Sequence, residues 1–516
     1  MHRLRSLLAL LLLLLIPARP AAAYSVLSHE EVVDMAWLTT IVPMLRARFP
    51  GMTDADIVQA HAYAYGGSVI QDIGYYPFGS HYFSDLLHYT RTGDFVAALI
   101  TNSTTPNEYA FALGALAHYC GDVYGHPAVN ITTAQENPKD ERRFGHIVTY
   151  DEDHTAHVRT EFGFDVVEVA HGRYSQQNYR DFIGFQVAKP LLERAFLQTY
   201  GIPMASVMTH EDLAIATYRR AVSSLIPKMT VIAAHPLKDQ IRKEDPGFQK
   251  NKFVYRLNAT EYRKEYPDQY QKPGAGTRFL AFIVEILPKI GPLKAFKVSI
   301  PTPDEQKTYI TSVNTTVDHF KRDLALTQPP VVAIPGAPQP APSATPAKPI
   351  DPATVNPSKA ATIPGTPPPA AQQSTPIPQS IAAPAPDSSS ASAPDVTPQR
   401  APDLAEIDLD TGNPSSFGEY HLADITYAHL LDDLLHKQNA QFPPDVRQSI
   451  KDFYNTPLTE PAWYIKSPKQ WATLQANLAA FRARPPPPAP PPPPRRRPAP
   501  LAHRPTPGCP THRPRR

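Results

Sequence analysis

The stretch Phe111-Ala112-Leu113-Gly114-Ala115-Leu116-Ala117-His118-Tyr119-Cys120-Gly121-Asp122-Val123-Tyr124-Gly125-His126 decides how this chain is read. Phe111, Leu113, Leu116 and Val123 make it an apolar helical pattern. His118, Asp122 and His126 interrupt that pattern at i, i+4 and i+8, a spacing that stacks three ligand-type side chains along one helical stripe. Ionisable groups buried in such a setting without partners are costly. A dication removes that objection, and neutral imidazole and carboxylate are the donors zinc takes where no thiolate is offered. Further on, His157 and Glu161 repeat the i, i+4 spacing. Each pair alone also reads as a solvated surface pair, and a single buried His as a satisfied core residue. Two pairs and His126 within one short region favour metal.

Composition sets the frame. Of 516 residues, 61 are Pro, too many to be spread through helices or sheets, so part of the chain is low-complexity. The formal net charge of +2 gives no whole-chain electrostatic case for a nucleic-acid or membrane partner. The two cysteines, Cys120 in the helical pattern and Cys509 in a Pro-rich tail, imply no disulfide framework and leave zinc to His and acid.

Met1 to Arg5 is positively charged, Leu7 to Ile16 is a short apolar run and Ala21-Ala22-Ala23 is a small-residue cleavage site. Residues 1–23 therefore read as a signal peptide, too short in its apolar run to span a bilayer, and the mature protein is expected to be exported, without a transmembrane anchor. Cleavage leaves Tyr24 as the N-terminus. A free α-amine has a pKa of roughly 7.7–8.0, so the amine and carbonyl of Tyr24 can chelate a metal ion beside His29. The plainer reading, compatible with this one, has Ser28 capping a helix that starts at His29 with Glu31 in its first turn.

Helical patterns run from Glu30 to Phe49, Asp54 to Tyr65, Tyr82 to Arg91 (carrying His88), Phe95 to Ile100, Glu108 to Tyr124, Asp151 to Ala170 (carrying His157 and Glu161), Tyr179 to Thr199 and Glu211 to Ile226. Asp72, in Asp72-Ile73-Gly74-Tyr75-Tyr76-Pro77-Phe78-Gly79, is expected on a loop or helix end, since Gly and Pro break regular structure there. From Pro236 to Leu326 the signal weakens, with an apolar run from Phe279 to Leu287 and a short strand at Val298 to Ile300. Residues 327–402 read as a disordered Pro/Ala/Ser/Thr-rich linker. Residues 403–481 regain helical content, notably Tyr420 to Lys437, and residues 482–516 are a Pro/Arg-rich disordered tail. The fold class expected is all-α: one helical domain over 24–326, with 403–481 packing back onto it.

The ordered residues resemble the zinc-dependent phospholipase C family, which includes glycosylphosphatidylinositol-specific phospholipase D, and more distantly the fungal single-strand zinc nucleases. Members share an all-helical fold with three clustered zinc ions. Their ligands are the mature N-terminal residue, a His soon after it, an Asp, a His, a His-x3-Asp helix with a further His, and a His-x3-Glu or His-x3-Asp. Here those positions read Tyr24, His29, Asp72, His88, His118, Asp122, His126, His157 and Glu161, in the family's order. Two features depart from the bacterial enzymes: Tyr stands where Trp is usual at the N-terminus, and His126 follows Asp122 by four residues rather than six. The shorter spacing, with Asp72-Ile73-Gly74-Tyr75-Tyr76-Pro77 and His88-Tyr89-Thr90-Arg91, resembles the phospholipase D branch.

The resemblance implies a secreted or cell-envelope zinc phosphodiesterase of phospholipase C/D type, with about three zinc ions and peripheral contact with a membrane surface. In that chemistry Asp122 bridges two ions, a zinc-activated water attacks phosphorus, and Asp72 orients or deprotonates the water, which makes Asp72 and Asp122 the candidate catalytic residues. Tyr75, Tyr76, Phe78, Tyr82 and Phe83 are candidates to line a cleft, holding a quaternary ammonium by cation–π contact or stacking a base, with core packing as the alternative. A zinc-dependent single-strand nuclease and a zinc-bearing, non-catalytic envelope scaffold are the competing functions. His61 is expected to pack against its helix neighbours, His81 and His154 are the substitutes for His88 and His157, and Asp85 and Asp153 read as exposed acids without a role.

Overall fold

Pro106–Glu136 forms one long helix around which the described chain is built. Thr105 caps it by accepting from the Glu108 amide, and Pro106 occupies the first turn, where a missing N–H costs nothing. Its sides from Tyr109 to Val123 are buried almost all round, the signature of a central rather than a surface helix.

The computed structural model describes residues 25–76, 78–171, 185–220, 222, 301–327, 404–437, 442–455 and 459–484. In chain order the helices are α1 (Val26–Ala36), α2 (Val42–Arg48), α3 (Asp54–Gly67), α4 (His81–Tyr89), α5 (Thr92–Asn102), α6 (Pro106–Glu136), α7 (Pro138–Phe144), α8 (Tyr150–His171), α9 (Lys189–Tyr200), α10 (Glu211–Arg220), α11 (Pro303–Leu326), α12 (His421–His436), α13 (Pro444–Phe453), α14 (Ala462–Ile465) and α15 (Pro468–Ala483). A π-turn (Trp37–Ile41) joins α1 to α2, and a 3-10 turn (Ile70–Tyr75) follows α3. Among the described residues the strands are one antiparallel pair, β1 (Ile407–Asp408) and β2 (Asn413–Pro414), with Ile407 opposite Pro414. The fold is all-α, as expected.

Met1–Gln328 and Arg400–Arg516 make up one compact unit, and Pro329–Gln399 a second that lies outside the described residues. Within the first unit, α3 lies against α6 closely enough to exclude side chains at the crossing. A Cβ on Gly67 would stand 2.0 Å from the Phe111 carbonyl oxygen, and one on Gly114 2.0 Å from that of Ala64. Only glycine allows this approach. It brings the end of α3 beside His118, whose Nδ1 lies 2.9 Å from the Ser68 carbonyl.

Several boundaries differ from the sequence expectation. The helix expected from Glu30 to Phe49 is two helices separated by the π-turn. Ser28 does not cap a helix beginning at His29: α1 starts at Val26, and the Ser28 hydroxyl donates to Asp165 Oδ1 at 2.7 Å while the Leu27 amide donates to Asp165 Oδ2 at 3.1 Å. The helix expected to end at Tyr124 continues to Glu136 through Pro127, which removes only the hydrogen bond to the Val123 carbonyl. α4 stops at Tyr89, short of Arg91, which takes a left-handed backbone (φ 52°) while its guanidinium donates to the Thr199 carbonyl and to Asp445. Within the expected Tyr179–Thr199 helix, residues 185–188 are not helical and α9 starts at Lys189. The signal peptide and Tyr24, Phe279 to Leu287, Val298 to Ile300, and nearly all of the expected linker and tail lie outside the described residues.

The segment after the Pro-rich stretch runs against α4, α5 and α6. Thr92 Oγ1 donates to the Ile407 carbonyl, Tyr119 OH to that of Ala405, and the Leu409 amide to that of His88. α12 then packs along α4, with His429 stacked on Tyr82 at 3.7 Å between ring centres.

Candidate metal centre

Three turns of α6 project His118, Asp122 and His126, all buried, along one stripe. Asp122 stands at the centre of the first group. Its Oδ1 is 3.5 Å from His29 Nε2 on α1, and its Oδ2 is 3.4 Å from His88 Nε2 on α4 and 3.0 Å from His118 Nε2. Asp72, on the 3-10 turn, lies 3.3 Å from His88 Nε2. One turn further along α6, His126 Nε2 is 3.8 Å from Glu161 Oε1, which is 2.8 Å from His157 Nε2. The ring of His29 stacks on His118 at 4.2 Å, and that of His126 meets His157 edge-on at 5.1 Å.

Local structure fixes these positions. Gln71 Nε2 donates to the Ala115 carbonyl on α6, and Ser84 Oγ donates to the Gln71 carbonyl while accepting from the Gly74 amide, so the Asp72 turn is tied to α4 and α6. The imidazoles are set through their far nitrogens: Nδ1 donates to the Ser84 carbonyl in His88, to Ser68 in His118 and to Leu409 in His126. A carbonyl can only accept, so in its neutral form each of the three has its Nε2 lone pair facing the cluster.

The charge pattern calls for a cation. Burial pushes Glu161 well above the usual carboxylate range, reinforced by Asp72 and Asp122. Asp72 is also raised, burial outweighing His118 and His88. In Asp122 burial is outweighed by His118, His126 and His29, and the carboxyl is held well below its ordinary value. Burial lowers His29 and His157, whereas in His88 contact with Asp72 and the charge of Asp122 overcome burial and lift the imidazole to about 10.

Whether zinc fits is decided by the donors. Both oxygens of Asp72, both of Asp122, His118 Nε2 and Glu161 Oε1 are buried without a hydrogen-bond partner of acceptable geometry among the described residues. Such atoms are expensive unless something ligates them. A tetrahedral ion with ligands about 2.0–2.1 Å away holds those ligands about 3.3 Å apart. The His29–Asp122, His88–Asp72 and His88–Asp122 separations of 3.5, 3.3 and 3.4 Å match that value. Three combinations bring all their donor atoms within 4.8 Å of one another: His29 with His118 and Asp122, Asp72 with His88 and His118, and His126 with His157 and Glu161. Eight of the nine residues read from the sequence thus converge, in two groups joined by α6, and the ninth, Tyr24, lies outside the described residues.

Residues 29–210 match the family model described as zinc dependent phospholipase C. The resemblance carried by the ordered residues is therefore shown at the level of the family, and all eight placed residues fall inside the matched range. The match supports a zinc-dependent hydrolase acting on phosphoric esters. No curated protein and no solved structure matches the chain.

The remaining candidates separate. His61 stacks on Trp37 at 3.9 Å and pairs with Asp34 at 2.9 Å, away from the cluster. His81 lies against Tyr75 and His154 against Tyr150. Asp85 is half-buried rather than exposed, and burial, moderated by His88, pushes it up to about 7. Asp153 is half-buried as well and caps the amides of Thr155 and Ala156. Of the aromatic set, Tyr75 stands 5.9 Å from His88 and near Tyr150 with Leu422 against them, Tyr76 meets Tyr218, and Phe78 is exposed. Phe83 is core, stacked on Phe196, and Tyr82 is covered by His429. Sequence reasoning missed Leu409, Asp410 and Asp165. The one local hint was the acid-turn-glycine run Asp408-Leu409-Asp410-Thr411-Gly412 just after the Pro-rich stretch.

Proposed function

We propose that the chain is an exported zinc-dependent phosphodiesterase that hydrolyses phospholipid in the manner of phospholipases C and D. The observation that carries the reading is Asp122: a fully buried carboxylate with imidazoles of three helices facing its two oxygens. That arrangement suits a carboxylate shared between ions and has no evident use in a metal-free core.

His29, His118 and Asp122, with Asp72 and His88, would hold zinc at one end of the α6 stripe, and His126, His157 and Glu161 one turn further along it. The mature N-terminus at Tyr24 would add its amine and carbonyl, for a total of three ions. Bound zinc supplies a water acidic near neutral pH and positive charge against the phosphate oxygens. Asp72 would have two roles on this reading: ligating beside His88 through one oxygen, and accepting a proton from water through the other. The carbonyls of Ser68, Ser84 and Leu409 keep three imidazoles in the ligating tautomer through the cycle. Tyr75 and Tyr150, with Leu422 packed against them, form a buried cluster beside His88.

Full-length mature protein mixed with phosphatidylcholine vesicles, with and without chelator, tests this by mass spectrometry of the products. Chelator-sensitive phosphocholine and diacylglycerol would identify C-type cleavage, and choline with phosphatidate the D type. Zinc-loaded protein that leaves phospholipid intact but degrades single-stranded DNA would replace the reading with a nuclease.

A further inference from the structure

His88 and His118 take their Nδ1 acceptors from Ser84 and Ser68, within the family-matched range. His126 does not. Its acceptor, the Leu409 carbonyl, lies 283 residues away in sequence and far outside that range. The same residue's amide donates to the His88 carbonyl at 3.0 Å, satisfying a carbonyl left over at the C-terminus of α4. One residue therefore bridges the main chain of one candidate ligand and the ring of another.

The next residue anchors it. The Asp410 carboxylate is buried, accepts from Tyr89 OH at 2.8 Å and Tyr420 OH at 2.6 Å through Oδ2, and sets Oδ1 3.7 Å from His126 Nδ1. Its carbonyl accepts from Asn130 Nδ2, one turn beyond His126 on α6, at 2.8 Å. The turn is closed by Asp408 Oδ1, which accepts from the Asp410 amide at 2.9 Å, and by Gly412 at φ 72°. Gly412 sits against α6 where Pro127 has freed the Val123 carbonyl: a Cβ there would be 2.7 Å from that oxygen.

We propose that Asp410 is a positioning residue for zinc binding by His126, acting through the Leu409 carbonyl, so that the His126–His157–Glu161 group is complete only when the segment from beyond the Pro-rich stretch is docked. This rests on the reading of His126 as a ligand. The arrangement makes the two ligand groups unequal: one is oriented by its own neighbours, the other by a distant loop.

The test compares the full chain with Asp410→Asn, Tyr420→Phe and His126→Ala, following zinc content against graded chelator alongside the melting temperature. Asp410→Asn and Tyr420→Phe are expected to weaken one part of the bound zinc by about 10–100-fold, the part that His126→Ala removes, while the remainder holds as in the unaltered chain. Tyr420→Phe, which deletes a single hydroxyl, keeps the test decisive if Asp410→Asn does not fold. Wild-type release curves in both variants would overturn the proposal while leaving His126 a ligand. Release of all the zinc together, in step with a lowered melting temperature, would reduce Asp410 to a structural role. Unchanged zinc in His126→Ala would instead remove the ligand reading, and the clamp with it.

Discussion

Asp122 offers one oxygen to His29 and the other to His88 and His118, and nothing else among the described residues bonds either. Asp122→Asn keeps the shape and removes the charge together with one acceptor. Zinc affinity and turnover are expected to fall by more than the ~10–100-fold typical of losing an outer hydrogen-bond partner, as read by metal analysis and vesicle hydrolysis. The stripe to which Asp122 belongs was legible because its period is local: i, i+4, i+8 is a property of any helix. Asp72 was expected on a loop or helix end and lies on a 3-10 turn, but what holds that turn was not legible. It is held by Gln71 and Ser84 reaching two different helices, which no local pattern announces.

At the scale of elements, the α3–α6 crossing controls where His118 lies. Gly67 and Gly114 each face a backbone oxygen of the other helix, so neither helix can give way by moving a side chain. Gly114→Ala is expected to force the helices apart and to cost about 3 kcal/mol, the upper end of the usual range for overpacking, seen as a lower melting temperature and, because Ser68 moves with α3, as weaker zinc retention. A melting temperature within a degree of the unaltered chain would contradict that. The length of α6 was underestimated because Tyr124-Gly125-His126-Pro127 reads as a helix stop. The helix continues through Pro127 with the loss of one backbone bond, and the Val123 carbonyl released there lies against the Gly412 turn.

At the scale of the whole molecule, α12 is joined to α8 by His421 Nδ1 and Asp151, 3.1 Å apart and partly exposed. Contact with Asp151, against the opposing effect of burial, raises the His421 pKa in the folded chain. The stabilisation is therefore complete below the unfolded value of about 6.5 and is lost as pH rises through the higher folded value. The melting-temperature difference between the unaltered chain and Asp151→Asn is expected to be largest near pH 5.5 and to shrink toward pH 8.5; a difference independent of pH would count against the pair. Among the described residues no helix is long and apolar enough to cross a membrane. By itself, the sequence determined the all-α class and, among the eight placed residues, the stripe His118, Asp122, His126 and the pair His157, Glu161, because helical period and donor type are local properties of the chain; His29, Asp72 and His88 joined the set through the resemblance to the family. Only the tertiary structure decided that these eight form two groups, that Asp165 anchors α1, and that Leu409 and Asp410 orient His126. The Asp165 and Leu409 contacts join residues 137 to 283 positions apart, and what selects them is the close packing of helices around α6 rather than any pattern within one segment.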